Sequence, residues 1–269
     1  MFRRIVRQHR SLMGVGIVTS ATLAVSLLAF AYQGISTADV RLNDGGVWVT
    51  KPSGLLVGHL NYQAQVLDTG LRAKTNDFDI LQSGNIVLTH DRANATLSLV
   101  DPANVTFGAD VALPADAEVA LGADTVAILD RSTGALFALT VADIETFSLE
   151  NSEPVVQLGA GGAVTVGSNG TVHAVAVGDG QLVTVTRSAG TTRFNAPVIS
   201  DQSVFNNLPD RPKLTIAAVG EASVVLESTS GTLILPGGRR VKIAPGSALQ
   251  QSTTGTATTT CSWALPTPC

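Results

Sequence analysis

Beyond residue 38 the chain alternates short apolar runs with clusters of turn-forming residues. The stretch "GGVWVTKPSGLLVGHLN" (45–61) sets the form, two short strands around a tight turn, and the form recurs. Strongly apolar strands are predicted at 46–50, 85–90, 125–130, 171–177 and 223–228. From Val47 to Ile86, Val126, Val172 and Val224 the steps are 39, 40, 46 and 52 residues. Each strand runs into a turn ("KPSG", "DRAN", "RSTG", "GDG", "STSG") whose Gly, Asn, Asp, Pro and Ser supply tight-turn geometry. A second strand follows each turn, at 55–61, 95–101, 135–141, 181–187 and 232–238. More polar strands are predicted after these, at 64–70, 105–111, 144–150, 191–197 and 239–245. One further strand precedes each apolar one, at 38–44, 77–84, 117–124, 162–169 and 214–221.

Four strands per unit at a period of about 40–45 residues is the pattern of a β-propeller blade. A blade is too thin to cover both its faces alone and must stack on neighbours. Its middle strands are then almost continuously apolar and its outer strand polar. "VAIL" and "IVLT" against "TTRFN" and "RRVKI" follow that gradient. An array of β-sandwiches needs about seven strands and about 100 residues per unit, and this chain repeats faster. The expected fold is therefore an all-β, propeller-like ectodomain of about five four-stranded blades over 39–245, a number that need not close a ring. The Trp-Asp blade signature is absent, and only Trp48 falls in the repeats. Residues 246–269 lose the strand period and become rich in Thr, Ser and Pro, which predicts a disordered tail.

The N-terminus has a different pattern. Residues 1–10 carry Arg3, Arg4, Arg7 and Arg10 and no acid, and 11–38 carry no charged side chain. An apolar run near 12–32 reaches the roughly 20 residues that cross a hydrocarbon core, and Tyr32 falls where interfacial aromatics are favoured. The expectation is a cytoplasmic basic segment (1–10), a single transmembrane signal-anchor helix (11–38), and an extracellular remainder held at the cell membrane. A cleaved signal peptide with its site at "AFA" (29–31) is the alternative, although the apolar run exceeds the usual h-region. Either way the bulk of the chain leaves the cytoplasm.

The stretch "RLNDGGVWVTKPSGLLVGHLNYQAQVLDTGL" (41–71), with an anchor before it, resembles a family of large actinobacterial surface proteins. That resemblance spans about residues 1–250. It implies an Arg-rich cytoplasmic start, one membrane helix and a propeller-like region opening with a VWVT-type strand. Tandem immunoglobulin-like or fibronectin type III-like domains would follow. This chain stops before any such array, and the change of composition after Gln251 reads as a truncation, with a frameshift as one origin.

Composition narrows the function classes. Hydrophobic residues make up 45% and charged residues 14%, enough for a packed core. Past residue 32 there are 13 Lys+Arg against 21 Asp+Glu, so no basic stripe offers itself to nucleic acid. The expected partners are the lipid bilayer, through the N-terminal helix, and a cell-wall polymer or surface protein. Cys261 and Cys269 would close only a very short loop. His59, His90 and His173 lie one per unit and are the candidate ligands if a ring face held a metal, though a tolerated polar residue at a strand end explains each. "HDR" (90–92) and "DFD" (77–79) read as turn and strand-edge charges before acid/base pairs, and "NDGG" (43–46) and "GDGQ" (178–181) as turns before calcium loops. "GAGGAV" (159–164) precedes a strand and so lacks the helix N-terminus that receives phosphate. Asn94, Asn104 and Asn169 match the glycosylation acceptor pattern. No nucleophile elbow, zincin or P-loop motif occurs. The expectation is a non-enzymatic scaffold or interaction protein without a cofactor or any catalytic, cofactor-binding or metal residue. The alternative is an extracytoplasmic metal-dependent hydrolase or lyase on the same scaffold.

Overall fold

The computed structural model describes residues 46–250 except Tyr62, Asp179 and 201–211, together with the backbone of Trp263–Ala264. Antiparallel sheets succeed one another along the chain. The first holds β1 (Val47–Lys51), β2 (Leu56–Asn61) and β3 (Val66–Arg72). The second holds β4 (Phe78–Ser83), β5 (Ile86–Asp91), β6 (Thr96–Asp101) and β7 (Thr106–Phe107), with β8 (Val111–Ala112) also on β6. The third is β9 (Ala117–Gly122), β10 (Thr125–Asp130), β11 (Ala135–Thr140) and β12 (Val156–Gln157). The fourth is β13 (Ala163–Val166), β14 (Val172–Val175), β15 (Leu182–Val185) and β16 (Val198–Ile199). The fifth is β17 (Leu214–Val219), β18 (Ala222–Glu227), β19 (Thr232–Ile234) and β20 (Arg240–Lys242). Finally β21 (Ala248–Leu249) pairs with β22 (Trp263–Ala264).

The sheets stack through their first strands: β1 packs on β4, β4 on β9, β9 on β13, β13 on β17 and β17 on β21. A separate apolar core fills each seam. Trp48, Val57, Phe78, Val87 and Val100 lie between the first and second sheets. Leu88, Leu97, Val126, Ile128 and Phe137 lie between the second and third. Ala127, Leu129, Val164, Val172 and Val185 follow, and then Ala163, Val175, Leu214, Ile216 and Val225. Successive residues of a strand point to opposite faces, so β10 sends Val126 and Ile128 into one seam and Ala127 and Leu129 into the next. That is why its sequence is apolar throughout, and all four side chains are fully buried. Each contributes about 1.5–3 kcal/mol, less for Ala127. The stacking is propeller-like.

Among the described residues the inner and middle strands fall where the pattern predicts them; several outer ones do not. The strand predicted over 144–150 is instead a 3-10 helix, Val141–Thr146, followed by a turn, and the strand that pairs with β11 is 156–157. Thr140 donates its hydroxyl to Asp143 (2.6 Å), and Ile144 is buried in the adjoining core. At 191–197 the backbone makes only an isolated bridge, Arg187 to Phe194, before β16 at 198–199. The strand over 105–111 splits into β7 and β8. Within the stretch expected to be a tail, Ala248–Leu249 pairs with Trp263–Ala264 and Leu249 packs on the fifth sheet's core; residues 251–262 and 265–269 lie outside the described residues.

Acidic residues at strand ends hold the turns. Asp91 accepts the Asn94 N–H (3.0 Å) and amide, and Asp101 does the same for Asn104. Asp130 accepts from the Ser132 N–H and hydroxyl and from Thr133, while Glu227 accepts from Thr229 N–H and Ser230 N–H. Burial would raise the Asp130 and Glu227 carboxyls, but these hydrogen bonds win and hold both below their ordinary values. Where β9 meets β13 the backbones touch: a Cβ on Gly122 would sit 2.3 Å from the Gly167 carbonyl oxygen.

Among the described residues no helix is long and apolar enough to cross a membrane. The predicted anchor (11–38), the basic segment (1–10), the whole candidate strand at 38–44 and both cysteines lie outside those residues.

Candidate functional site: the uncovered face of the first sheet

The turn of the first hairpin is a 3-10 helix, Pro52–Gly54, closed by the Leu55 N–H on the Pro52 carbonyl (3.0 Å), with Leu55 left-handed at φ 54°. It fixes the register of β1 on β2: Val47 opposite Leu60, Val49 opposite Gly58, Lys51 opposite Leu56. On the far side of β2, Gly58 faces Gly70, Leu56 faces Arg72 and Leu60 faces Leu67. Directly opposed residues share a face. One face therefore carries Trp48, Val57, Thr69 and Leu71, and the buried Trp48 and Val57 join the seam with the second sheet. The other carries Val47, Val49, Lys51, Leu56, Gly58, Leu60, Leu67, Gly70 and Arg72.

This second face is open. Val47 is 47% exposed, Leu56 46% and Leu67 64%. Gly58 and Gly70, side by side, floor a groove of about 370 Å³ walled by Val49, Leu56 and Leu67. A Cβ on Gly58 would come within 3.2 Å of Leu67 Cδ2, so the trough depends on the absent side chain. At one end Lys51 and Arg72 flank Leu56 in one row; neither forms an ion pair among the described residues.

The register slips between His59 and Leu60, leaving Asp68 as the extra residue of a β-bulge on β3. Asp68 takes the His59 ring: Nδ1 and Oδ1 are 2.7 Å apart, and the Asn61 amide reaches Oδ2 at 3.5 Å. The hydrogen bond from His59 holds the Asp68 carboxyl below its usual range. The His59 ring lies 5.3 Å from that of Trp48, tilted.

The three histidines are not brought together. His90 on β5 and His173 on β14 are buried in different sheets, and burial pushes both imidazoles down and keeps them neutral. The His173 Nε2 is buried without a hydrogen-bond partner. No group of three His, Cys, Asp or Glu among the described residues fits a metal ion. Asp91 is a turn cap, and Asp77 and Asp79 receive the Arg92 guanidinium at 2.9 and 3.5 Å. "GAGGAV" is a turn, with Gly159 and Gly161 at positive φ, leading into β13. The side chains of Asn94, Asn104 and Asn169 each bond within their own turns. A further depression of about 430 Å³ is lined by Pro114, Asp116, Asp130, Ser132, Phe137 and Leu149, but its Asp130 is committed to the adjoining turn.

The motif search missed the open face because it looked for reactive side chains. The signal was in the pattern: in "GVWV" and "LLVGHL" both phases of the strand are apolar, so both faces are built to be covered.

No known family pattern matches the chain, and no curated protein matches its sequence. Solved structures do. Dihydro-heme d1 dehydrogenase NirN, in complex with DHE, is 15% identical over 80% of this chain and 48% of its own, with a TM-score of 0.53. This chain thus spans about half the length of that protein. Virginiamycin B lyase from Staphylococcus aureus is 13% identical over 81% of this chain and 76% of its own, at a TM-score of 0.50. A functionally unknown protein from Desulfotomaculum acetoxidans DSM 771 is 14% identical over 75% and 67%, also at 0.50. At these identities the likeness establishes the fold, an all-β propeller-like scaffold.

It also corrects the expectation that the chain is not an enzyme. Two proteins with this fold are, by name, a dehydrogenase and a lyase. The physical reason is that propeller-type scaffolds gather site residues from loops of separate sheets. Such residues converge in space and leave no local spacing for a motif search to find.

Proposed function

We propose that this chain is a membrane-held, extracytoplasmic propeller-like module that works by binding, with the open face of its first sheet as the contact surface. The single observation that carries the reading is that face. The other seams are filled by their own cores, whereas here Val47, Val49, Leu56 and Leu67 border an unfilled, glycine-floored groove. The Arg-led, uncharged run over 1–38 and the resemblance to membrane-anchored surface proteins support the placement. The test is fractionation of cells expressing the full chain. It should stay with membranes through an alkaline wash and be cut by protease added to intact cells. Recovery in the protease-resistant cytosol would refute the reading.

A second reading, catalysis on the same scaffold, is favoured by the His59–Asp68 pair, in which a carboxylate orients an imidazole as general-base catalysis requires. Hydrolysis of activated esters by the full chain, lost in His59→Gln, is its expected signature; equal rates for the two proteins would dismiss it.

A further inference from the structure

Five of the large aliphatic side chains exposed among the described residues belong to the first sheet, Val47, Val49, Leu56, Val66 and Leu67; three lie elsewhere, Leu149, Val198 and Ile199. Lys51 and Arg72 stand at one end of the open face, and no acidic residue occupies any of its register rows. Asp68, from the bulge, lines the groove as its one carboxylate and is bonded to His59. Beyond residue 32 the chain is acidic, with 13 Lys+Arg against 21 Asp+Glu. An anionic surface is therefore repelled by the net charge of this module and attracted where Lys51 and Arg72 stand, as it is by the exposed Arg239, Arg240 and Lys242 at β20, which carry no exposed apolar face beside them.

We infer that the open face of the first sheet lies on an anionic lipid bilayer, with Val47, Leu56 and Leu67 entering the boundary between headgroups and acyl chains and Lys51 and Arg72 meeting lipid phosphates. This rests on the membrane-held reading above. Seven residues separate the end of the predicted span at 38 from Gly46, and the eight Cα steps across them reach at most about 28 Å when fully extended. The first sheet is thereby confined to the membrane surface. Long basic side chains suit this position, since their stems lie along apolar surface while their charges stay with the headgroups.

A second copy is the poorer occupant. Two such faces related by a two-fold axis along the Val49–Gly58–Gly70 row set Lys51 and Arg72 over Val47, Leu60 and Leu67, where the one carboxylate lining the groove, Asp68, is already bonded to His59. An anionic bilayer supplies the missing charge.

The experiment uses the full chain with Cys261 and Cys269 replaced by Ser and one environment-sensitive fluorophore on Leu67→Cys or, as control, on Leu149→Cys. Both sites are exposed, so neither reporter disturbs a core. Flotation with vesicles reads the anchor; emission shift and quenching by a bilayer-borne quencher read the face. In phosphatidylglycerol-containing vesicles the label at 67 is expected to shift and be quenched and that at 149 to do neither. Docking should weaken about fivefold for each charge removed in Lys51→Gln and Arg72→Gln. Flotation without a response at 67 overturns the inference and leaves the anchored reading standing. Failure to float overturns both. Equal responses in phosphatidylcholine alone remove the role of charge and overturn the anionic assignment. A response at 67 in detergent that grows with protein concentration assigns the face to a second copy.

Discussion

The side-chain amide of Gln82 stands in for a strand against the edge of β1: Trp48 donates its backbone N–H to Oε1 at 3.0 Å, and Nε2 donates to the Gly46 carbonyl at 3.0 Å. One side chain thus reproduces the donor and acceptor of a peptide group and ties the first sheet to β4 of the second. Nε2 also reaches the Gly84 carbonyl (3.0 Å), which fixes the orientation of the amide.

Gln82→Ala leaves the Trp48 N–H without this acceptor and is expected to cost about 1–3 kcal/mol in urea unfolding. Gln82→Glu keeps the acceptor but loses both donated bonds, so it should recover only part of that stability. Equal stability of all three proteins would mean that water replaces the amide without loss.

Gly122 marks a close approach between the third and fourth sheets. A methyl group there lies 2.3 Å from the Gly167 oxygen and 2.7 Å from the Val166 oxygen, both main-chain atoms that cannot rotate away. Gly122→Ala should destabilise by about 1–3 kcal/mol, with loss of the β9–β13 seam before the rest by amide exchange. Gly84→Ala has open space around it and is the control: its cost comes only from its φ of +60°.

Acid stability should be governed first by the buried histidines. Burial places the folded-state pKa of His173 below the ordinary 6.5, so on acidification the unfolded chain takes up the proton first. Stability is fully present above pH 6.5 and is lost as pH falls from there through the lower folded value. His90 acts in the same direction through burial and the nearby charge of Arg92, with Asp79, Asp91 and Asp77 opposing. Glu118, raised by burial, acts with the opposite sign and recovers stability as pH falls through its own folded pKa towards 4.5. His173→Leu should therefore flatten, though not abolish, the decline in thermal midpoint below pH 6.5. An unchanged slope would show that His173 keeps its ordinary pKa.

The turn after β10 offers a local test. Asp130 accepts from the Ser132 N–H (2.9 Å) and hydroxyl (2.6 Å) and from the Thr133 hydroxyl (2.7 Å). Asp130→Ala should cost about 2 kcal/mol in urea unfolding, and Asp130→Asn, which keeps one acceptor, less than half of that. Indistinguishable midpoints would mean that the turn holds without its cap.

Where two cores constrain a segment, its pattern could be read from the residues alone. "TVAILD" coincides with β10, Thr125–Asp130, because its four apolar side chains, Val126 to Leu129, are each committed to one seam or the other. The outer segments carry no such constraint. "IETFSLE" looks like a strand, yet Ile144 reaches the core from a 3-10 helix, and a few tertiary contacts override a weak β preference. The apolar character of the open face was in the pattern, but its groove was not: Gly58 and Gly70 become a trough only once β2 and β3 are in register, and that register turns on a bulge at Asp68 that no residue type announces.

The acidic turn caps at Asp91, Asp101, Asp130 and Glu227 each act within a span of four residues. Every hairpin so capped is thus specified where it stands, with no information drawn from the connection before it. Connector length is then free to drift, as the steps of 39, 40, 46 and 52 residues record, while each sheet keeps its own alignment. An architecture written this way can accept an insertion between sheets and refuse one inside a hairpin.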